Sequence, residues 1–258
     1  MLFWLKSIVR RSRLYRWYSV FKWRKAAIRI VGRHACLGEA VFSRFEGVAK
    51  LNHQKNRIDL VMEKPDRLLA SSYYYLLKCL RERTIVSCAG KQKDSLLDFI
   101  VESNFVLIDS FSELADQHFL YKGESFYCCY SDISEPVKHS PDLVSKGLLN
   151  ADLVLDYYRS FVEYCIKVNP TIKIIYLHFP VVKENRDKFL SRAKELSQVC
   201  ETLSYDYPQT FINVELDSAL CMSLNQNDED SFAYHYSEHI YDEFANKIRR
   251  RLPELKLG

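Results

Sequence analysis

Glycine and proline are scarce, seven of each in 258 residues, which excludes collagen-like and low-complexity chains. No apolar run approaches the roughly 20 residues needed to cross a bilayer. Arg10, Arg11 and Arg13 interrupt the place where a secretory signal would need an apolar stretch of roughly 7–15 residues, so the chain reads as not secreted. The eight cysteines form no CxxC and no paired metal spacing; they read as buried free thiols of a reducing compartment, with the vicinal Cys128-Cys129 pair serving packing. Neither GxGxxG nor GxxxxGK followed by Ser or Thr occurs, so neither a dinucleotide site nor a P-loop is supported. There is no GxSxG elbow, which argues against an α/β-hydrolase. There is no HExxH, and His235 and His239 at i, i+4 are an ordinary surface spacing, so no metal is expected.

Acidic residues are missing from the start of the chain. Ten basic residues precede the first acid, Glu39, and all three tryptophans (Trp4, Trp17, Trp23) lie in that segment. The whole chain carries +4, so the remainder carries −6. Leu14, Trp17, Tyr18 and Phe21 fall on one helical face, with Arg13, Arg16, Lys22 and Arg24 at its flanks. Residues 1–25 therefore read as a basic amphipathic helix that either lies on an anionic membrane surface or packs its aromatics on the body. A basic helix alone is a weak nucleic-acid signal, and no nucleic-acid partner is expected.

The rest of the chain, 48% apolar residues and 27% charged overall, alternates strand-length apolar runs with helical patterns. Strands are predicted at 26–32 (AAIRIVG), 84–88 (TIVSC), 105–110 (FVLIDS), 172–178 (IKIIYLH) and 211–216 (FINVEL). Helices are predicted at 66–83, 94–102, 151–168, 185–203 and 237–252, the last ending at Pro253. Near-continuous apolar strands imply burial on both faces, hence an α/β three-layer sandwich with a five-stranded, mostly parallel sheet. Residues 26–258 read as one domain, and 117–150, with Pro136 and Pro141, as a long loop or insertion over one edge. Ligands in such sheets bind beyond the carboxyl ends of the strands. There the sequence places Arg33, His34 and Cys36, then Asp109 and Glu113, then His178, with Asp230 and His235 ahead of the last helix.

These strand-end residues, in order, resemble a family of SGNH-like bacterial proteins of unknown function from capsule and surface-polysaccharide gene clusters. IRIVGRHACLGEAVF stands where that family has a Gly-Ser-Cys turn, and LNHQKNRIDLVMEKP where it has a basic-polar patch before Lys-Pro. Ile108-Asp109 and Glu113 match Ile-Asp-x-x-x-Glu, His178 matches a strand-end His, and Tyr234-His235-Tyr236-Ser237 matches Phe-His-Tyr-Ser.

The resemblance implies acyl-ester chemistry on a glycan, by an O-acyltransferase or hydrolase of capsule or O-antigen assembly. The substrate would be a glycan or lipid-linked sugar at the inner membrane, with no cofactor beyond acyl-CoA as a possible donor. It implies a nucleophile after the first strand and His235 as base. A hydroxyl or thiol needs such a base, and the tetrahedral oxyanion needs fixed donors. Asp230 or Asp228 would orient the base, and Asp109 joins the catalytic set. The sequence departs from this pattern: the nucleophile position holds Arg33 or Ala35, and the residue three before His235 is Phe232. Cys36 is the substitute candidate, its thiol pKa expected to be lowered at a helix start beside Arg33 and His34. Arg33, His34, Asn52, Arg57, Glu113 and His178 are candidate substrate contacts. The alternative is a catalytically inactive binding or accessory module for a glycan or glycosyltransferase.

Overall fold

The computed structural model describes residues 13–53, 57–63, 96–224 and 235–256. The predicted helix at 66–83, the strand at 84–88, Asp228, Asp230 and residues 1–12 lie outside them. Five strands, β1 (Ile28–Arg33), β2 (Val48–Asn52), β3 (Phe105–Asp109), β7 (Lys173–Leu177) and β8 (Phe211–Val214), form one sheet in the order β2-β1-β3-β7-β8. All four pairings are parallel. Every residue of β3 is buried, as the unbroken apolar run of a central strand requires.

Four of the five strands are those the sequence predicts, with ends shifted by up to two residues. The strand beside β1 is Val48–Asn52, where the sequence reading predicts no strand. Its five residues are all half-buried, and a short edge strand with Lys50 and Asn52 in it carries little apolar signal.

The helices cover both faces. α1 (Arg13–Lys25) leads into β1, and α2 (Cys36–Phe42) follows it; then come α3 (Ile58–Met62) and α4 (Leu96–Phe99), which runs into a 3-10 turn at Ile100–Glu102. After β3 comes α5 (Phe111–Ala115). α6 (Glu135–Lys138), α7 (Ala151–Val168), α8 (Asp187–Asp206), α9 (Ser218–Leu224) and α10 (Glu238–Arg251) complete the described helices. α7 packs on α8 and α3, and α10 on α2. The apolar stripe of α10, Ile240, Phe244 and Ile248, is fully buried, and α7 opens with the Asn150 carboxamide accepting the Asp152 N–H at 2.8 Å.

Residues 117–150 are not an irregular loop. β4 (Asp116–Tyr121), β5 (Glu124–Cys129) and β6 (Leu143–Gly147) form a second, antiparallel sheet in the order β5-β4-β6. Lys122 (φ 51°) and Gly123 (φ 83°) give the two left-handed residues of a tight hairpin turn, matched to strand twist. Phe119, Phe126, Cys128, Ile133 and Val137 form this sheet's own small core. Of the two prolines that suggested a loop, Pro136 lies in the short helix Glu135–Lys138 and Pro141 precedes β6; neither breaks a strand.

α1 is divided in its loyalties. Trp23 is 1% exposed and its indole N–H donates to the Ile30 carbonyl at 2.9 Å, with Phe99 edge-on at 5.6 Å. Trp17 is 66% exposed and stacked on Phe21 at 5.5 Å, and Tyr18 and Phe21 also face solvent. The helix is thus pinned to the body at one end with an aromatic stripe facing away. No helix among the described residues is long and apolar enough to cross a membrane.

Candidate functional site

Side chains alternate between sheet faces, so register decides which strand-end residues meet. Arg33 is in register with Ile108, one residue short of Asp109, so Arg33 and Asp109 point to opposite faces. Arg33 enters the α7 side, where it is 2% exposed and its Nη2 donates to Glu113 Oε2 at 2.8 Å and to the Tyr158 hydroxyl. Glu113, 1% exposed, accepts the Ile58 N–H at 3.0 Å through its other oxygen, and Arg192 donates to the Glu113 carbonyl at 3.0 Å. Burial alone would lower the Arg33 pKa; the Glu113 carboxylate, together with Tyr158 and Tyr176, outweighs it and holds the guanidinium charged. Arg33 is therefore half of a buried ion pair, not a group presented to an oxyanion or an acidic sugar, and Glu113 is likewise engaged.

Asp109 enters the α2 side, where Oδ2 accepts the Ala35 N–H at 2.6 Å and lies 3.4 Å from the Gly38 N, while Oδ1 accepts the Phe111 N–H at 3.3 Å. Burial pushes its pKa up to about 7 against the pull of these N–H groups and Arg33. Its charge also acts on Cys36: burial first, and Asp109 second, push that thiol up to about 11. This reverses the expected lowering: the thiol is buried, and the helix start that was to favour a thiolate also holds a carboxylate.

His34 and Asn52 close the same end. Asn52 Oδ1 accepts the His34 N–H at 3.2 Å, and its Nδ2 donates to the His34 carbonyl at 2.9 Å and lies 3.2 Å from Nδ1. The His34 side chain is buried against Gly38, where an added Cβ would come within 2.5 Å of it. Arg57 is forked onto Asp59, lies over the Tyr127 ring at 4.8 Å, and is buried too.

His178 sits on the α8 side with Nε2 2.8 Å from Asn213 Oδ1. Burial lowers its pKa, against the opposing charge of Glu215. It borders a cavity of about 30 Å³ with Ser110 and Cys221, room for about one water. The Ser110 hydroxyl accepts the Phe179 N–H at 2.9 Å.

His235 is exposed and accepts Lys183 Nζ through its carbonyl at 3.0 Å. The next residue anchors the segment: the Tyr236 hydroxyl donates to the Pro180 carbonyl at 2.5 Å and its N–H to the Tyr241 hydroxyl at 3.2 Å. Asp230, expected to orient His235, is outside the described residues. A serine and histidine do meet in the small sheet, where His118 Nε2 is 3.1 Å from Ser125 Oγ.

The structure therefore gathers Arg33 with Glu113, His34 with Asn52, and Asp109 with Cys36 around the end of β1, and sets His178 and His235 apart. The sequence reading missed Tyr158, Arg192, Asp59 and Asn213. Arg192 was detectable: it is the one cation on the buried stripe of α8, with Phe189, Leu196, Val199, Cys200 and Leu203. Tyr158 was hidden, since it falls on α7's apolar stripe and its hydroxyl gave no signal. Among the described residues no cluster of three or more His, Cys, Asp or Glu is arranged to hold a metal ion.

No protein-family model matches the chain, and no curated protein sequence does. Among solved structures, 90% of the chain is similar to 98% of a lipase/acylhydrolase from Enterococcus faecalis, with 13% identity and a TM-score of 0.44. It is similar over 87% of its length to the whole of the acetyl xylan esterase AlAXEase (11%, TM-score 0.45). It also covers 65% of the acetyl xylan esterase Est2A from the rumen bacterium Butyrivibrio proteoclasticus (12%, TM-score 0.39). At such identities nothing about activity passes from those proteins to this chain.

Proposed function

We propose that this chain is an SGNH-like binding or accessory module of capsule or O-antigen assembly that recognises a glycan or lipid-linked sugar without cleaving an ester. The observation that carries the reading is Arg33. Where the resemblance calls for a nucleophile, the chain has either Arg33, a guanidinium buried in an ion pair with Glu113, or Ala35, which has no reacting group, and burial raises the pKa of the nearby Cys36 thiol. α1 supports a place on the cytoplasmic side of an anionic membrane: Trp17, Tyr18 and Phe21 face solvent beside Lys22, Arg24 and Lys25, the composition that suits a lipid interface.

A second reading keeps acyl transfer or ester hydrolysis, with Cys36 as nucleophile, His235 as base, Asp230 orienting it and acyl-CoA as a possible donor. It is favoured by one contact chain. Tyr241 of α10 accepts the Tyr236 N–H and α10 packs on α2, which begins at Cys36, so the elements bearing His235 and Cys36 are neighbours.

Turnover of p-nitrophenyl acetate and of acyl-CoA with a glycan acceptor separates the two. The binding module shows no turnover above the uncatalysed rate in wild type, Cys36→Ala or His235→Ala. Turnover lost in either variant establishes the second reading and removes the first.

A further inference from the structure

A cavity of about 510 Å³ opens between α5, the antiparallel sheet and the start of α8. Its volume is that of a small-molecule site, and none of the strand-end residues discussed above lines it. Three cations do, Lys138, Arg186 and Lys188, and no carboxylate does.

The cations are held against aromatic rings. Arg186 lies 4.1 Å and Lys188 Nζ 4.9 Å from the Phe189 ring centroid, and Lys138 Nζ is 5.4 Å from that of Tyr130. Glu184, behind the wall, forks onto Arg186 at 2.7 and 2.6 Å and fixes its plane, while Glu135 anchors Lys138 at 3.0 Å. Among the described residues no carboxylate lies within ion-pair reach of Lys188. The buried rings of Phe119 and Phe189 form the apolar wall. Gln117 accepts the Ser145 hydroxyl through Oε1 at 2.7 Å, which keeps its amide N–H₂ available as a donor.

A ligand complementary to this lining has an acid group, one apolar face and hydroxyls that accept hydrogen bonds. We propose that the cavity binds an anionic sugar, a hexose phosphate or a hexuronate. The acid group sits among Lys138, Arg186 and Lys188, and the C–H face of the ring lies on the aromatic wall. The acid group and apolar face stand on the cavity alone; the choice of a sugar rests on the glycan-binding reading above.

Calorimetric titration of the full chain with glucose 1-phosphate, glucuronate, glucose and inorganic phosphate tests it, on wild type and on Lys138→Gln/Lys188→Gln. At least one anionic sugar is expected to bind about tenfold or more tightly than glucose and than phosphate. The double variant is expected to weaken it by about tenfold or more, as loss of charge-assisted hydrogen bonds requires, with the thermal midpoint unchanged. Which acid binds tells a phosphorylated from a uronic ligand.

The proposal is overturned if neither acid binds at up to about 10 mM, weaker than any specific site of this kind. It is also overturned if phosphate alone binds as well, or if the double variant binds as wild type does. Failure here with no ester turnover removes this proposal alone. Turnover that depends on His235 removes the non-hydrolytic reading and leaves the titration to be judged separately.

Discussion

The two sheets leave opposite things open. At the carboxyl end of the parallel sheet, where topology directs a ligand, the polar side chains are turned inward onto protein partners: Arg33 Nη2 with Glu113, His34 with Asn52, Asp109 with the Ala35 N–H, although Arg33 Nη1 is buried without a hydrogen-bond partner among the described residues. Beside the antiparallel sheet, three cations line a ligand-sized opening; Glu184 and Glu135 pair with Arg186 and Lys138, and among the described residues Lys188 has no carboxylate within ion-pair reach. The difference teaches that a fold's customary site can be closed by pairing its charges. Burying an unpaired charge is costly, so buried charges at a strand end are stabilised when the groups around them find partners within the protein. The antiparallel sheet offers a separate concavity away from those pairs.

Three measurements sharpen or break this contrast. Trp23 ties α1 to β1, and removing a buried indole of this kind costs about 3–5 kcal/mol, so Trp23→Ala is expected to lower unfolding free energy by that much in urea. A small loss would mean that α1 is not part of the closed body.

Asp109→Asn comes next. The carboxyl's folded pKa of about 7 lies above its ordinary value of 3.8, so between those pH values the folded state binds the proton more strongly than the unfolded chain. Wild-type stability relative to the Asn variant is then highest near pH 4 and falls as pH rises to about 7. It levels off above that, after a change on the order of a few kcal/mol. A difference independent of pH over that window would mean that Asp109 is ionised throughout and open to solvent.

The smallest effect belongs to the outward side. Trp17→Ala is expected to change stability by less than about 0.5 kcal/mol while reducing pelleting with anionic, but not neutral, liposomes. Unchanged pelleting would remove the membrane role of α1.

Much of the parallel sheet was legible because central strands buried on both faces read as apolar runs, and α7 and α10 because their stripes are regular. β2 escaped because an edge strand needs only half its residues apolar. The small sheet escaped because its prolines drew attention from the alternation of Phe119 and Tyr121 against Phe126 and Cys128. Residue types at the strand ends were legible, but their roles were not. One-residue register separates Arg33 from Asp109 across the sheet, and sequence spacing carries no sign of that. Nor did it show that an Asp would occupy the helix start on which a lowered Cys36 pKa depended.

The account rests on Arg33 and Glu113 being a structural pair, and a double-mutant cycle in urea unfolding tests this most directly. Arg33→Leu and Glu113→Leu are each expected to cost about 3–5 kcal/mol, since each strands a buried charge, and the double variant should cost clearly less than their sum. Single variants within about 0.5 kcal/mol of wild type with additive effects would contradict the account. Arg33 would then be a charge free to meet a ligand at the strand end.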